Sequence, residues 1–214
     1  MSALKPHRTQ AERRETTRAR ILDAAVNELL SRGYAGFRVN DVARAAKVSR
    51  GARAHHFPTR EALILETMRS LYKTSQAQSR QLIEGLQPGD DIFEALMSDS
   101  EAFYLGPTFL SAVKMISSEE RPALWQDIRA LAHKHRLAME KAWLEALVRS
   151  GVPEKDALGI IYLTEAVFRG VVTRELLSDD SEYVRITLSR WRELARAQLA
   201  RYSPRSGTSA GTAG

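Results

Sequence analysis

The sequence predicts an all-α protein, on three observations: a 3.6-residue apolar period in its segments, almost no period-two alternation, and prolines and glycines gathered at segment ends. Strands are not expected. Pro6, Pro58, Pro88, Pro107, Pro122, Pro153 and Pro204 all fall where a helix would begin or end. Proline lacks an amide donor and clashes inside a helix, so these residues partition the chain. Gly33, Gly36, Gly85, Gly89, Gly106 and Gly151 sit between segments, whereas Gly51, Gly159 and Gly170 lie within them.

The first helix can start at Thr9, where Thr9 and Glu12 suit a capping box. It carries Leu22, Ala25, Val26, Leu29 and Leu30 on one face until Gly33. A short second helix is expected near residues 39–46, with Val39, Val42, Ala43 and Ala46 at i, i+3, i+4 and i+7. After Lys47-Val48, Ser49 is an N-cap for a third short helix reaching His56, which Phe57-Pro58 ends. Thr59 caps a long fourth helix with Glu61 in its first turn. Further helices are read near 91–104, 108–118, 122–149, 154–177 and 181–201. In the seventh, Leu124, Ile128, Leu131, His135, Ala138, Ala142 and Ala146 make one stripe. The tail from Ser203 is small, polar and expected to be flexible.

At 214 residues with 43% hydrophobic side chains, the chain can bury a core as one larger or two small domains. The absence of cysteine excludes disulfide scaffolds and thiolate metal sites. The first twenty residues are basic and polar without an apolar h-region, and no 18-residue apolar run follows, so a soluble cytoplasmic protein is expected. Charge is uneven: residues 1–60 hold 13 Lys+Arg against 5 Asp+Glu, a net of +8, and residues 61–214 a net of −2. Clustered arginine suits a phosphate backbone, whose condensed counterions are released when it is neutralised. A solvated charge run is the plain alternative.

Two short helices joined by a tight turn, braced by a longer first helix and set in the basic part of the chain, describe a helix-turn-helix. The third helix must be slim enough for a major groove and carry donors outward. Ser49, Gly51, Ala52 and Ala54 keep it slim; Arg50 and Arg53 are spaced i, i+3, and His55 and His56 follow. A bidentate arginine–guanine pair is worth about 1–3 kcal/mol of discrimination. Arg32, Arg44 and much of residues 5–20 read as solvated surface, although the N-terminal arm could touch the minor groove or phosphates.

The stretch from Ile21 to Leu65 resembles the N-terminal domain of the TetR (tetracycline-repressor) family of transcriptional regulators. The matching pieces are Ile21-Leu22-Asp23-Ala24-Ala25, Gly33-Tyr34, Val39, Asp41-Val42-Ala43, Ala46, Val48-Ser49, Gly51, His56-Phe57 and Glu61-Ala62-Leu63. The resemblance implies a DNA-binding domain over residues 1–60 with its basic arm, a larger effector-binding and dimerisation domain over 61–202, and a tail over 203–214. It implies phosphate contacts at Arg38 to Asn40, a recognition helix carrying Ser49, Arg50, Gly51, Ala52, Arg53 and His55, and phosphate holding at His56 and Arg60. Arg38 stands where a capping Thr or Ser is usual, Lys47 replaces a turn glycine, Ala54 replaces a tyrosine, and Arg53 takes a place that is often apolar. The third helix is therefore expected to roll or to read its site differently.

By the same resemblance the partners are a pseudo-palindromic operator, a second copy of the chain and a small effector; no cofactor, metal or membrane partner is expected. The best dimer candidates are Ile160, Ile161, Thr164, Val167, Phe168, Val171 and Val172, then Ile186, Leu188, Trp191, Leu194 and Leu199, with Gly170 permitting close approach; the same faces could be intramolecular core. Effector-pocket candidates are Phe103, Tyr104, Phe109, Met115, Trp125, Met139, Trp143 and Tyr162, which together suggest an apolar or aromatic effector. An enzyme is not expected. The pattern Gly207-Thr208-Ser209-Ala210-Gly211 lies in the tail without the strand-turn-helix a nucleophile elbow needs, and His133 and His135 diverge on a helix. The alternatives are a helical enzyme, or non-specific binding to nucleic acid or an anionic surface.

Overall fold

The computed structural model describes residues 9–116, 122–178 and 180–202; the arm before Thr9 and the tail from Ser203, with its Gly207–Gly211 pattern, lie outside the described residues. Among them are nine helices and no strand: α1 (Gln10–Gly36), α2 (Val39–Ala45), α3 (Arg50–His56), α4 (Arg60–Gly85), α5 (Ile92–Tyr104), α6 (Pro107–Ile116), α7 (Pro122–Arg149), α8 (Glu154–Ser178) and α9 (Ser181–Leu199). The starts of all nine helices and the ends of α2, α3, α5, α7, α8 and α9 fall within two residues of the sequence expectation, while the expected end of α6 at residue 118 lies outside the described residues.

Local chemistry explains those boundaries. The Thr9 amide donates to Glu12 Oε2 at 2.9 Å and the Glu12 amide to Thr9 Oγ1 at 3.2 Å, so the capping box is present. Gly33 takes φ +63° and ψ −172°, breaking α1 before a last short turn. That break turns Tyr34 and Phe37, each 3% exposed, into the core. Only glycine adopts this left-handed region without steric cost.

Two compact units emerge. One comprises the chain up to Arg80 together with Ala102–Ala138; the other comprises Gln81–Glu101 and the chain from Met139. In the first, α1 packs on α2 and α6, and α2 on α3. Ile21, Ala25, Leu29, Val42, Phe57, Leu63, Ile64, Met68, Met115 and Ile128 make its core. That core crosses residue 60 without a break. The packing of the chain therefore does not divide at residue 60.

In the second unit α8 packs on α9. Trp143 Nε1 donates to Asp99 at 2.7 Å and Trp191 Nε1 to Thr164 Oγ1 at 3.0 Å, satisfying polar groups that burial would otherwise strand. Here the dimer-face expectation needs correction. Ile160, Ile161, Thr164, Phe168, Val171, Val172 and Leu188 are buried within the chain itself, as intramolecular core. The outward apolar residues of α8 and α9 are Tyr162, Leu163, Leu176, Leu177, Ile186 and Leu194, between 46% and 81% exposed. Among the described residues, no helix is long and apolar enough to cross a membrane.

Candidate DNA-binding interface

The turn between α2 and α3 positions everything else. The Val48 amide donates to Ala43 O and the Lys47 amide to Arg44 O, both at 3.0 Å, the paired bonds of a Schellman ending. This ending needs a left-handed residue, and Lys47 supplies it at φ +53°, where glycine would be at ease. Arg20 secures the strained turn from α1: Nη2 donates to the Ala46 carbonyl and, at 3.2 Å, to the Lys47 carbonyl. Arg20 is therefore a helix cap in trans, a role its place in a basic run conceals. Arg20→Ala is expected to lower stability by about 1 kcal/mol, toward the low end for a charged hydrogen bond because the side chain stays exposed. For a chain of this size that is about 2–4 °C in Tm, readable by thermal melting.

Beyond the turn, Ser49 Oγ accepts from the Ala52 amide at 3.0 Å and starts α3. Phe57, 2% exposed, anchors its far end in the core. No residue of α3 is itself buried, so the helix lies on the surface with Arg50, Gly51, Ala54 and His55 exposed and Ala52, Arg53 and His56 partly covered. Arg50 stands free of hydrogen bonds to described residues. Arg38 and Asn40 are exposed at the start of α2, and Arg38 makes no side-chain cap, as its departure from Thr or Ser implies.

Two arginines behave differently from Arg50. Arg53 Nη1 donates to the Phe57 carbonyl at 2.8 Å, and its Nε is buried without a partner. Its guanidinium caps the C-terminal end of α3. Arg60 donates to the Tyr34 carbonyl and stacks over the Tyr34 ring at 4.2 Å, fastening α4 to the turn after Gly33. Arg18 pairs with Glu66 at 2.7 Å and lies 5.7 Å over the Phe57 ring. The expectation of mere solvated surface thus fails for Arg18 and Arg20. It holds for Arg44, 77% exposed and paired with Asp41 at 2.6 Å.

Beside α3, a groove of about 650 Å³ runs against the start of α1, lined by Gln10, Ala11, Arg13, Arg14, Thr17, His55 and His56. Burial, then the neighbouring charges of Arg14, His55 and Arg18, hold the His56 pKa below its ordinary value. His56 is thus held toward its neutral form, which keeps one ring N–H to donate.

The effector-pocket candidates divide. Phe103, Tyr104 and Phe109 form one aromatic cluster, with Tyr104–Phe109 centroids 4.8 Å apart and Phe103–Phe109 6.0 Å apart. Tyr72 and His135, absent from the expected set, join it at 6.3 and 4.8 Å from Phe103. Met115 lies in the core beneath α1 with Trp125 packed against that core. Met139 and Trp143 are buried in the second unit. Tyr162 lies apart from these: it is 51% exposed on the outer side of α8, whose turn there presents Ile161, not Tyr162, to the core. His133 and His135 diverge as expected, one exposed and one buried. No group of three metal-ligating side chains occurs among the described residues.

Residues 21–67 match the model of a family described as bacterial regulatory proteins, tetR family. Over 196 residues the chain is 37% identical to the HTH-type transcriptional regulator CymR of Pseudomonas putida, covering 91% of this chain and 97% of that protein. Its fold is similar to that of E. coli NemR in its reduced form, with a TM-score of 0.66 at 17% identity over 83% of this chain and 95% of that one. It is similar also to a TetR-family structure from Mesorhizobium loti, with a TM-score of 0.67 at 18% identity over 90% and 99%. The free arginine on a slim surface helix, the braced turn before it and the full-length relative agree: the chain belongs to the TetR family of transcriptional regulators.

Proposed function

We propose that a dimer of this chain represses transcription from a pseudo-palindromic operator in the cytoplasm and is released by a small apolar or aromatic effector. The observation that carries the reading is α3: an exposed Arg50 with no hydrogen bond or ion pair to any described residue, on a face kept slim by Gly51, Ala52 and Ala54. In this reading the exposed Arg38, Asn40, Ser49 and His55 supply further phosphate and base-edge contacts, with His56 as an N–H donor. In a dimer the two α3 helices would enter successive major grooves about 34–36 Å apart. Arg53 and Arg60 act in this reading by holding the interface in shape.

The outer face of α8 and α9 supports dimerisation. Tyr162, Ala166, Gly170, Thr173 and Leu177 follow one another at spacings of four, four, three and four, all exposed, with Ile186 and Leu194 on α9. Exposed large apolar side chains such as Tyr162, Leu177, Ile186 and Leu194 suit an interface. Effector control has a physical route within the first unit. α6 carries Phe109 of the aromatic cluster, and its Lys114 Nζ donates to the Leu30 carbonyl of α1, just before the Gly33 break. A shift of α6 would thus reach the helix that braces the turn. A ligand favouring the shifted form would weaken operator binding by the coupling free energy, typically about 1–3 kcal/mol.

Selection from random duplexes, followed by competition with unrelated DNA, tests the proposal. A two-fold site preferred by at least about 10³ over random duplex is expected. Equal competition by any duplex would instead leave a non-specific binder.

A further inference from the structure

Within the first unit, segments of α4, the last turn of α5, α6 and α7 bring rings together near His135. The imidazole stacks on Phe103 at 4.8 Å with 12° between planes and lies 5.1 Å from Tyr72. His135 is 7% exposed, and its Nε2 is buried without a hydrogen-bond partner. An orphaned buried polar atom is costly, and a phenylalanine would fill the same place without that cost. Phe103 and Phe109, by contrast, are only partly covered, so some of the cluster's aromatic surface is exposed. Burial brings the imidazole pKa down to about 4, so the ring is neutral at physiological pH.

We propose that this cluster is the effector's seat and that its ligand is a small uncharged aromatic molecule with one hydroxyl or carbonyl group, which hydrogen-bonds His135 Nε2. The proposal rests on the effector-controlled reading above and names the chemistry of that site. Phe103 and Phe109 supply a stacking surface for the ligand ring. A bare Nε2 accepts from a hydroxyl, and the other tautomer donates to a carbonyl. A carboxylate would give up its hydration to neutral rings and a neutral imidazole, which disfavours it.

Ligand-observed NMR titration of the full chain with 4-methylphenol, p-xylene and 4-methylbenzoate, paired with release from the selected operator, provides the test. The wild-type chain is expected to bind 4-methylphenol about tenfold tighter than p-xylene, and tighter than 4-methylbenzoate. His135→Phe should erase the phenol's advantage while keeping ring binding, and His135→Gln, which restores a donor and an acceptor, should recover part of it. A phenol preference that survives in His135→Phe overturns the proposal. So does tightest binding of 4-methylbenzoate, which would mark an anion site, or no binding of any of the three. If another compound still releases the operator in those cases, effector control stands and only the ligand chemistry falls; if no compound does, the effector-controlled reading fails by itself.

Discussion

Arg50→Ala is expected to lower affinity for the selected operator by about 30-fold to 10⁴-fold while leaving binding to random duplex nearly unchanged. Loss of a bidentate base contact costs about 1–3 kcal/mol per half-site, and a dimer loses two. Arg50 can be deleted without structural damage because it is exposed and holds no described residue in place. Arg53→Ala should behave in the opposite way. Its guanidinium is bound to the Phe57 carbonyl at 2.8 Å, so its removal should lower Tm and weaken all DNA binding together, with little loss of base preference. Anisotropy titrations on operator and random duplexes separate the two. Equal loss of specificity in both variants would mean that Arg53 leaves its cap on DNA and reads bases beside Arg50.

The same contrast shows what a sequence discloses. Helix limits were legible because they rest on local chemistry: Thr9 with Glu12, Ser49 with Ala52, and Thr59, whose Oγ1 accepts from the Ala62 amide at 3.0 Å. The place of the recognition helix followed from those caps. Which arginines stay free did not follow, since that depends on carbonyls distant in sequence. Arg20 reaches carbonyls 26 and 27 residues away, and Arg60 reaches back 26 residues to Tyr34. Neither pairing leaves a periodic trace. The departures at Arg38 and Lys47 were readable as single residues, and their consequences appear as an uncapped α2 and a lysine with positive φ.

Apolar faces were legible as faces, but not as inner or outer. On α8 both sides are apolar enough to pass for an interface, and the helix buries the more β-branched one, Ile160, Ile161, Val171 and Val172, against its own chain. The outer side gave a weaker signal because Ala166, Gly170 and Thr173 dilute it. Tyr72 and His135 were missed as members of the aromatic cluster for a related reason: each sits in a stripe that reads as ordinary core until the helices are packed.

Gly170→Trp should convert the chain to a monomer that folds normally and binds the full operator about 10²- to 10⁴-fold more weakly. The fold tolerates the change because a β-carbon at Gly170 meets nothing within 4 Å in its own chain. Replacing glycine inside a helix also relieves an entropic cost of about 0.5–1 kcal/mol. The proposed dimer would not tolerate it: small residues in the middle of the outer α8 face, between Tyr162 and Leu177, would let a partner helix come close, and an indole there would hold it away. Losing the second α3 removes the intramolecular second binding event, which sets the size of the affinity loss. Light scattering should report a mass near 24.0 kDa for the variant and twice that for the wild-type chain. Circular dichroism should match, half-site affinity should persist, and Gly170→Ala should remain dimeric. A Gly170→Trp chain that stays dimeric with intact operator affinity would place the interface elsewhere and leave the outer faces of α8 and α9 without this role.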